Sequence, residues 1–157
     1  MIFRRGLWMG ALWLLVGTVS VGAQPLDTLY RTVSCDPASS PLYPSGSDLA
    51  AACERRLYRL PVTDSLALRQ DKYDGVVVEA WDSSAVAMEA TIVMRNPKQS
   101  GAKAALSNVE FYQKDKCIQA RGPDDEAPGW WSVRYRFRVP RQTTLNLTSN
   151  SGDIQVR

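Results

Sequence analysis

The sequence has no histidine. That removes Ser-His-Asp and Cys-His nucleophilic sites, and with them the commonest transition-metal ligand. G-x-S-x-G, the P-loop and G-x-G-x-x-G are absent too, so no nucleophile elbow, phosphate loop or dinucleotide fingerprint is present. Only three cysteines occur, none in a C-x-x-C spacing, which leaves zinc binding and dithiol redox chemistry without their usual signature. Beyond the N-terminal stretch, no apolar run approaches the roughly 20 residues that a transmembrane helix needs. Excess charge is also small: 19 Lys and Arg against 16 Asp and Glu give a net +3 over 157 residues.

What is present begins with "MIFRRGLWMGALWLLVGTVSVGAQPLD". Arg4 and Arg5 form a positive n-region, Leu7 to Val16 an apolar h-region, and Val21-Gly22-Ala23 a small-residue cleavage site. Residues 1–23 therefore read as a signal peptide rather than a membrane anchor, because the apolar run is short and no basic flank follows it. No cysteine stands just after the cut, so no lipid anchor is expected. Removal leaves 134 residues (157 − 23), enough for one domain with its own core. Losing the two arginines lowers the net charge from +3 to +1, and nothing in so neutral a chain points to nucleic acid.

Export puts Cys35, Cys53 and Cys117 in an oxidising compartment. Three thiols allow three single pairings. Cys35–Cys53 is the favoured disulfide, because it would staple the otherwise floppy "DPASSPLYPSGSDLAAA" and contribute about 3 kcal/mol by loop entropy. The other reading makes all three small buried hydrophobes. Cys117 is the odd thiol, either buried or paired with another chain.

Residues 24–57 read as a Pro/Ser-rich leader, with one short helix over "SDLAAACERRL" capped by Ser47. Residues 58–157 read as the main domain. Period-two segments occur at 75–82, 85–94, 108–113, 117–122 and 131–140, each bounded by turn residues. In the last, Val133, Tyr135, Phe137 and Val139 share one face and Arg134, Arg136 and Arg138 the other, a core face and a wet face. "SGAKAALSN" is a helical interruption. The fold class expected is mostly all-β, with antiparallel strands leading into a solenoid-like repeat and one or two short helices.

The repeat is internal. "YRLPVTDSLAL" at 58–68 aligns without a gap with "FRVPRQTTLNL" at 137–147, a constant offset of 79. Tyr58, Arg59, Leu60, Pro61, Leu66 and Leu68 match Phe137, Arg138, Val139, Pro140, Leu145 and Leu147. A turn, a glycine and a β-type segment follow both copies.

With "DGVVVEAWDSSAVAMEATIV", "CIQARGP" and "WWSVRYRFRVPRQTTLNLTSNSGDIQV" in view, the chain resembles an adhesin-type family of secreted bacterial proteins with a β-strand repeat. The resemblance covers about residues 53–157. It rests on Val76, Val78, Trp81 and Asp82; on Val139, Pro140, Thr143, Leu145 and Leu147; and on Asn150, Gly152, Ile154 and Val156. It implies a β domain continuing into stacked short strands, and it brings no catalytic residues. The chain departs from the family by showing one rung where several are usual, and Asn-Ser-Gly-Asp in place of Asn-Gly. A truncated C-terminus is the resulting expectation.

Asp124, Asp125 and Glu126 lack the alternating spacing of a calcium loop and read as a solvated turn. Trp130 and Trp131 are adjacent, so on a strand they face opposite ways; packing is the simpler role, and stacking on a sugar or protein the other. Trp130, Trp131, Arg134, Arg136 and Arg138 form the candidate binding surface, the arginines toward anionic polysaccharide or lipid phosphate. The expected function is non-enzymatic: an exported envelope or surface protein acting by binding or display, in the periplasm, at the outer surface or outside the cell. Its expected partner is an envelope glycan or another surface protein, with no nucleic acid, cofactor or metal. The alternatives are a scaffold with no ligand and, behind it, a carboxylate-based glycan hydrolase.

Overall fold

Strand follows strand along nearly all of the described chain. A computed structural model describes residues 22–26, 29–37, 49–61, 64–70, 75–114, 116–123 and 129–157. Residues 1–21 of the stretch read as a signal peptide, residues 38–48, and Asp124, Asp125 and Glu126 lie outside the described residues. The elements run β1 (Gln24–Pro25), β2 (Leu29–Ser34), β3 (Ala50–Leu60), β4 (Ser65–Gln70), β5 (Val76–Trp81), β6 (Val86–Asn96), α1 (Gln99–Ser107), β7 (Glu110–Lys114), β8 (Cys117–Arg121), β9 (Trp130–Pro140), β10 (Thr144–Ser149) and β11 (Ile154–Val156).

They form a five-stranded sheet, β1-β7-β8-β4-β10, and a six-stranded sheet, β11-β5-β9-β6-β3-β2. The fold is mostly β with one short helix. Pairing among β2, β3, β6 and β9 is antiparallel. Toward β10 and β11 it becomes parallel, through β4–β8, β4–β10, β5–β9 and β5–β11.

Alternation fixes which face is core. Along β9, Trp131, Val133, Tyr135, Phe137 and Val139 are buried, while Arg136 and Arg138 are exposed. Val76 and Val78 from β5, with Met88, Ala90 and Ile92 from β6, join the same cluster as Leu66 and Leu68 from the other sheet. Full burial of a side chain such as Leu68 or Phe137 contributes about 1.5–3 kcal/mol. Tyr58, Phe111 and Tyr135 meet edge to face, with ring centroids 5.4 and 6.0 Å apart, the geometry that aromatic quadrupoles favour. Gln70 ties the sheets together by donating from Nε2 to the Val133 carbonyl at 2.9 Å.

The helix expected over "SDLAAACERRL" is instead strand. Ala50–Leu60 pairs with β6 along all eleven residues, Ala50 opposite Asn96 through Leu60 opposite Val86. Local alanine propensity yields to that long antiparallel ladder. β3 thus runs continuously through positions 57 and 58, from the leader stretch into the main domain.

Two charges on the inner face of β3 disguise its alternation. Glu54 and Arg56 lie between buried Ala52 and Tyr58. Arg56 Nε contacts Glu54 Oε1 at 2.5 Å. Its Nη2 donates to the Leu106 carbonyl at 3.0 Å, and its Nη1 donates to the Val109 carbonyl. The guanidinium therefore satisfies carbonyls at the C-terminal end of α1, where positive charge is favoured. The helix itself forms where "SGAKAALSN" indicates, burying Ala102 and Leu106 one turn apart.

Cys35 and Cys53 form a disulfide, with Cα atoms 5.1 Å apart. It fastens the end of β2 to β3. Cys117 is a free, half-buried thiol.

Candidate binding face

β9 sets the arginine stripe. Its outward residues Arg134, Arg136 and Arg138 recur every second position, about 6.6 Å apart along the strand. Sheet pairing then adds charges from strands distant in sequence. Arg136 lies between Val77 of β5 and Glu89 of β6. Glu89 is opposite Leu57, which is opposite Arg31 of β2. Arg134 neighbours Thr91, and Thr91 neighbours Arg55. Arg138 neighbours Glu79 and Ala87, and Ala87 neighbours Arg59.

Among the described residues, this face gathers Arg31, Arg55, Arg59, Arg134, Arg136 and Arg138 from β2, β3 and β9 beside the carboxylates of Glu79 and Glu89, and β11 adds Arg157 and Asp153 on the same side. Arg55 Nη1 stands 3.8 Å from Glu89, and Arg138 Nε 3.8 Å from Glu79. Both contacts are long and solvent-exposed, so neither holds its arginine tightly. The face keeps a positive excess in water. At its end Arg138 lies over the Trp81 ring at 6.0 Å. Trp81 is held by an Nε1 hydrogen bond to the Ala85 carbonyl at 2.8 Å. Arg141 closes this end with a forked contact to Asp82, at 2.7 and 3.3 Å.

The two tryptophans separate as alternation requires. Trp131 is 5 % exposed and faces the core, with Nε1 donating to the Pro123 carbonyl at 3.2 Å. Gly122 lies so close that a Cβ there would sit 2.5 Å from the indole ring. Trp130 is half-buried on the outer side, with the Arg95 guanidinium 5.0 Å from its ring centre. The preceding Gly129 has φ +123°, and a Cβ there would meet the Arg95 carbonyl, so only glycine fits at this entry to β9. Arg134, Arg136 and Arg138 therefore share an exposed face, Trp130 stands at its far end, and Trp131 belongs to the core.

Sequence reasoning found the β9 arginines and missed Arg31, Arg55 and Arg59. No local signal joins them to the stripe, because the join is made by strand register. Among the described residues there is no group of three metal-ligating side chains, and no helix long and apolar enough to cross a membrane. No family model matches the chain, and neither the curated proteins nor the solved structures contain a match.

Proposed function

We propose that the chain is an exported, non-enzymatic envelope or surface protein of adhesin-like type, and that it acts by binding an anionic envelope glycan on the outer face of the six-stranded sheet. The observation that carries this reading is the convergence of six arginines from β2, β3 and β9, with Arg157 of β11, on one face that holds the three carboxylates Glu79, Glu89 and Asp153. Such an excess attracts polyanions at long range and weakens with salt. Arginine also meets carboxylate or phosphate groups with a planar fork. The Cys35–Cys53 disulfide supports an oxidising destination, in keeping with the signal-like N-terminus. The test is retention of the folded chain on envelope preparations and on an acidic polysaccharide, compared with a neutral one. Equal retention on both, or none on either, contradicts the proposal.

A second reading, a scaffold of stacked rungs, rests on a different observation. β4 and β10 pair in parallel at the offset of the sequence repeat, and β5 and β11 also pair in parallel. In this reading β4–β5 and β10–β11 are successive turns of a solenoid-like stack. Reversing the charge of the arginine face separates the two. A scaffold keeps its localisation and assembly, and a glycan binder loses retention.

A further inference from the structure

The first strand begins at the residue that the expected signal cut would free. The cut falls after Ala23, and β1 is Gln24–Pro25. Gly22 and Ala23 are exposed and lie outside any strand. A Cβ built on Gly22 would meet nothing within 4 Å. A cut between Ala23 and Gln24 therefore leaves every described strand whole.

Gln24 and the two residues after it are held against β7. Gln24 lies opposite Gln113 and Pro25 opposite Tyr112, antiparallel. The Leu26 N–H donates to the Phe111 carbonyl at 3.0 Å. Alternation in an antiparallel ladder makes Gln24 with Gln113, and Leu26 with Phe111, the hydrogen-bonded pairs, and Pro25 with Tyr112 the other kind. Pro25, which has no N–H, thus takes the one position of the three that needs none. Leu26 is half-buried and packs against the core. The chain is fixed to β7 from the Gln24 carbonyl onward, whereas Gln24 itself is exposed.

We infer that Gln24 is a modification site, and that the exported chain carries a pyroglutamyl residue there. The α-amine freed by the cut attacks Cδ of its own side-chain carboxamide. A bond from the amine nitrogen to Cδ forms and the Cδ–Nε2 bond breaks. Nε2 leaves as ammonia, taking one proton from the amine. No oxidant, metal or second substrate is consumed. Amine and carboxamide belong to one residue, so the attack closes a five-membered ring with the reactants already in proximity. The product is a neutral lactam. The ammonium that it replaces would stand one register step from Lys114 on β7, so closing the ring removes a like-charge neighbour. The Gln24 carbonyl and the Leu26 N–H take no part, and β1 keeps its hold on β7. With a lactam first and proline second, the chain offers no free amine to exopeptidases. The inference rests on the export reading of residues 1–23 and is independent of the glycan proposal.

The experiment is peptide mapping by mass spectrometry of the exported chain, denatured at once on recovery to stop further reaction. The N-terminal peptide should begin at position 24, weigh one ammonia less than its linear form and react with no amine reagent. Fragmentation should place the loss at residue 24. Gln24→Ala should be cut at the same bond, show a free amine at full mass and keep the circular dichroism of the wild type. A wild type with a free amine and full mass at Gln24 overturns the inference and leaves the export reading standing. An ammonia loss that persists in Gln24→Ala, or that arises only on storage of the purified chain, overturns it in the same way. A chain that keeps residues 1–23, or begins at another residue, overturns it together with the signal reading.

Discussion

Leu145 lies directly beside Leu66 in a parallel ladder, 79 residues later in the chain (145 − 66). Leu147 stands in the same relation to Leu68. Residues that align in sequence therefore align in space, and each inward leucine of β10 extends a row begun in β4. Substitution at Leu68, which is 1 % exposed, should differ in effect from the same change at half-buried Leu147. Leu68→Ala is expected to cost about 3–5 kcal/mol through lost burial and a cavity. Leu147→Ala should cost about half as much. Urea unfolding of the two variants checks the order.

Arg56 links β3 to the end of α1, and Glu54 depends on it for its charge partner. Arg56→Met is expected to cost about 3 kcal/mol, from lost charge-assisted hydrogen bonds and a carboxylate left half-buried and unpaired. Arg56→Lys should recover only part of this, since one ammonium cannot reach both carbonyls and the carboxylate. Thermal unfolding of both variants measures the difference.

Burial lifts the Tyr58 phenol above 10.0, with Arg56 acting in the opposite direction. The folded state therefore favours the neutral phenol. Its contribution is fully present below the unfolded value of about 10 and is lost as pH rises through the higher folded value. Between pH 8 and 11, Tyr58→Phe should gain stability relative to wild type as pH increases. Urea midpoints at several pH values give the sign. A gap independent of pH contradicts it.

The Cys35–Cys53 disulfide closes a sequence separation of 18 residues. Replacing both cysteines with serine should lower stability by about 3 kcal/mol. Mild reduction of the wild type should bring its urea midpoint to that of the variant.

Trp131→Ala should cost about 3–5 kcal/mol, because the ring is core. Trp130→Ala removes mainly its contact with Arg95 and should cost about 1 kcal/mol. Reversed magnitudes would contradict the assignment of the two faces.

Much of this architecture was legible in the sequence, where a residue's neighbours along one strand carry the signal. The faces of β9, the split of Trp130 from Trp131 and the helix after β6 follow from local periodicity, whereas the repeat marks β4 and β10 as equivalent without saying that they pair. β3 was not legible. Its alanines favour helix locally, and its inward Glu54 and Arg56 break the apolar alternation, since Arg56 pairs with Glu54 and donates to a helix end 50 residues away. The binding face was only partly legible for a related reason. Arg134, Arg136 and Arg138 lie on one strand, whereas Arg31, Arg55 and Arg59 join them through pairings that no local pattern records.

The most direct test of glycan binding by the arginine face is a titration with an acidic polysaccharide at several salt concentrations. The wild type is compared with a variant carrying Arg136→Glu and Arg138→Glu, both at exposed positions. The account predicts that wild-type binding weakens steadily with salt, and that the variant keeps its fold while losing about tenfold or more in affinity. Binding that is equal in the two proteins, or wild-type binding indifferent to salt, would contradict it.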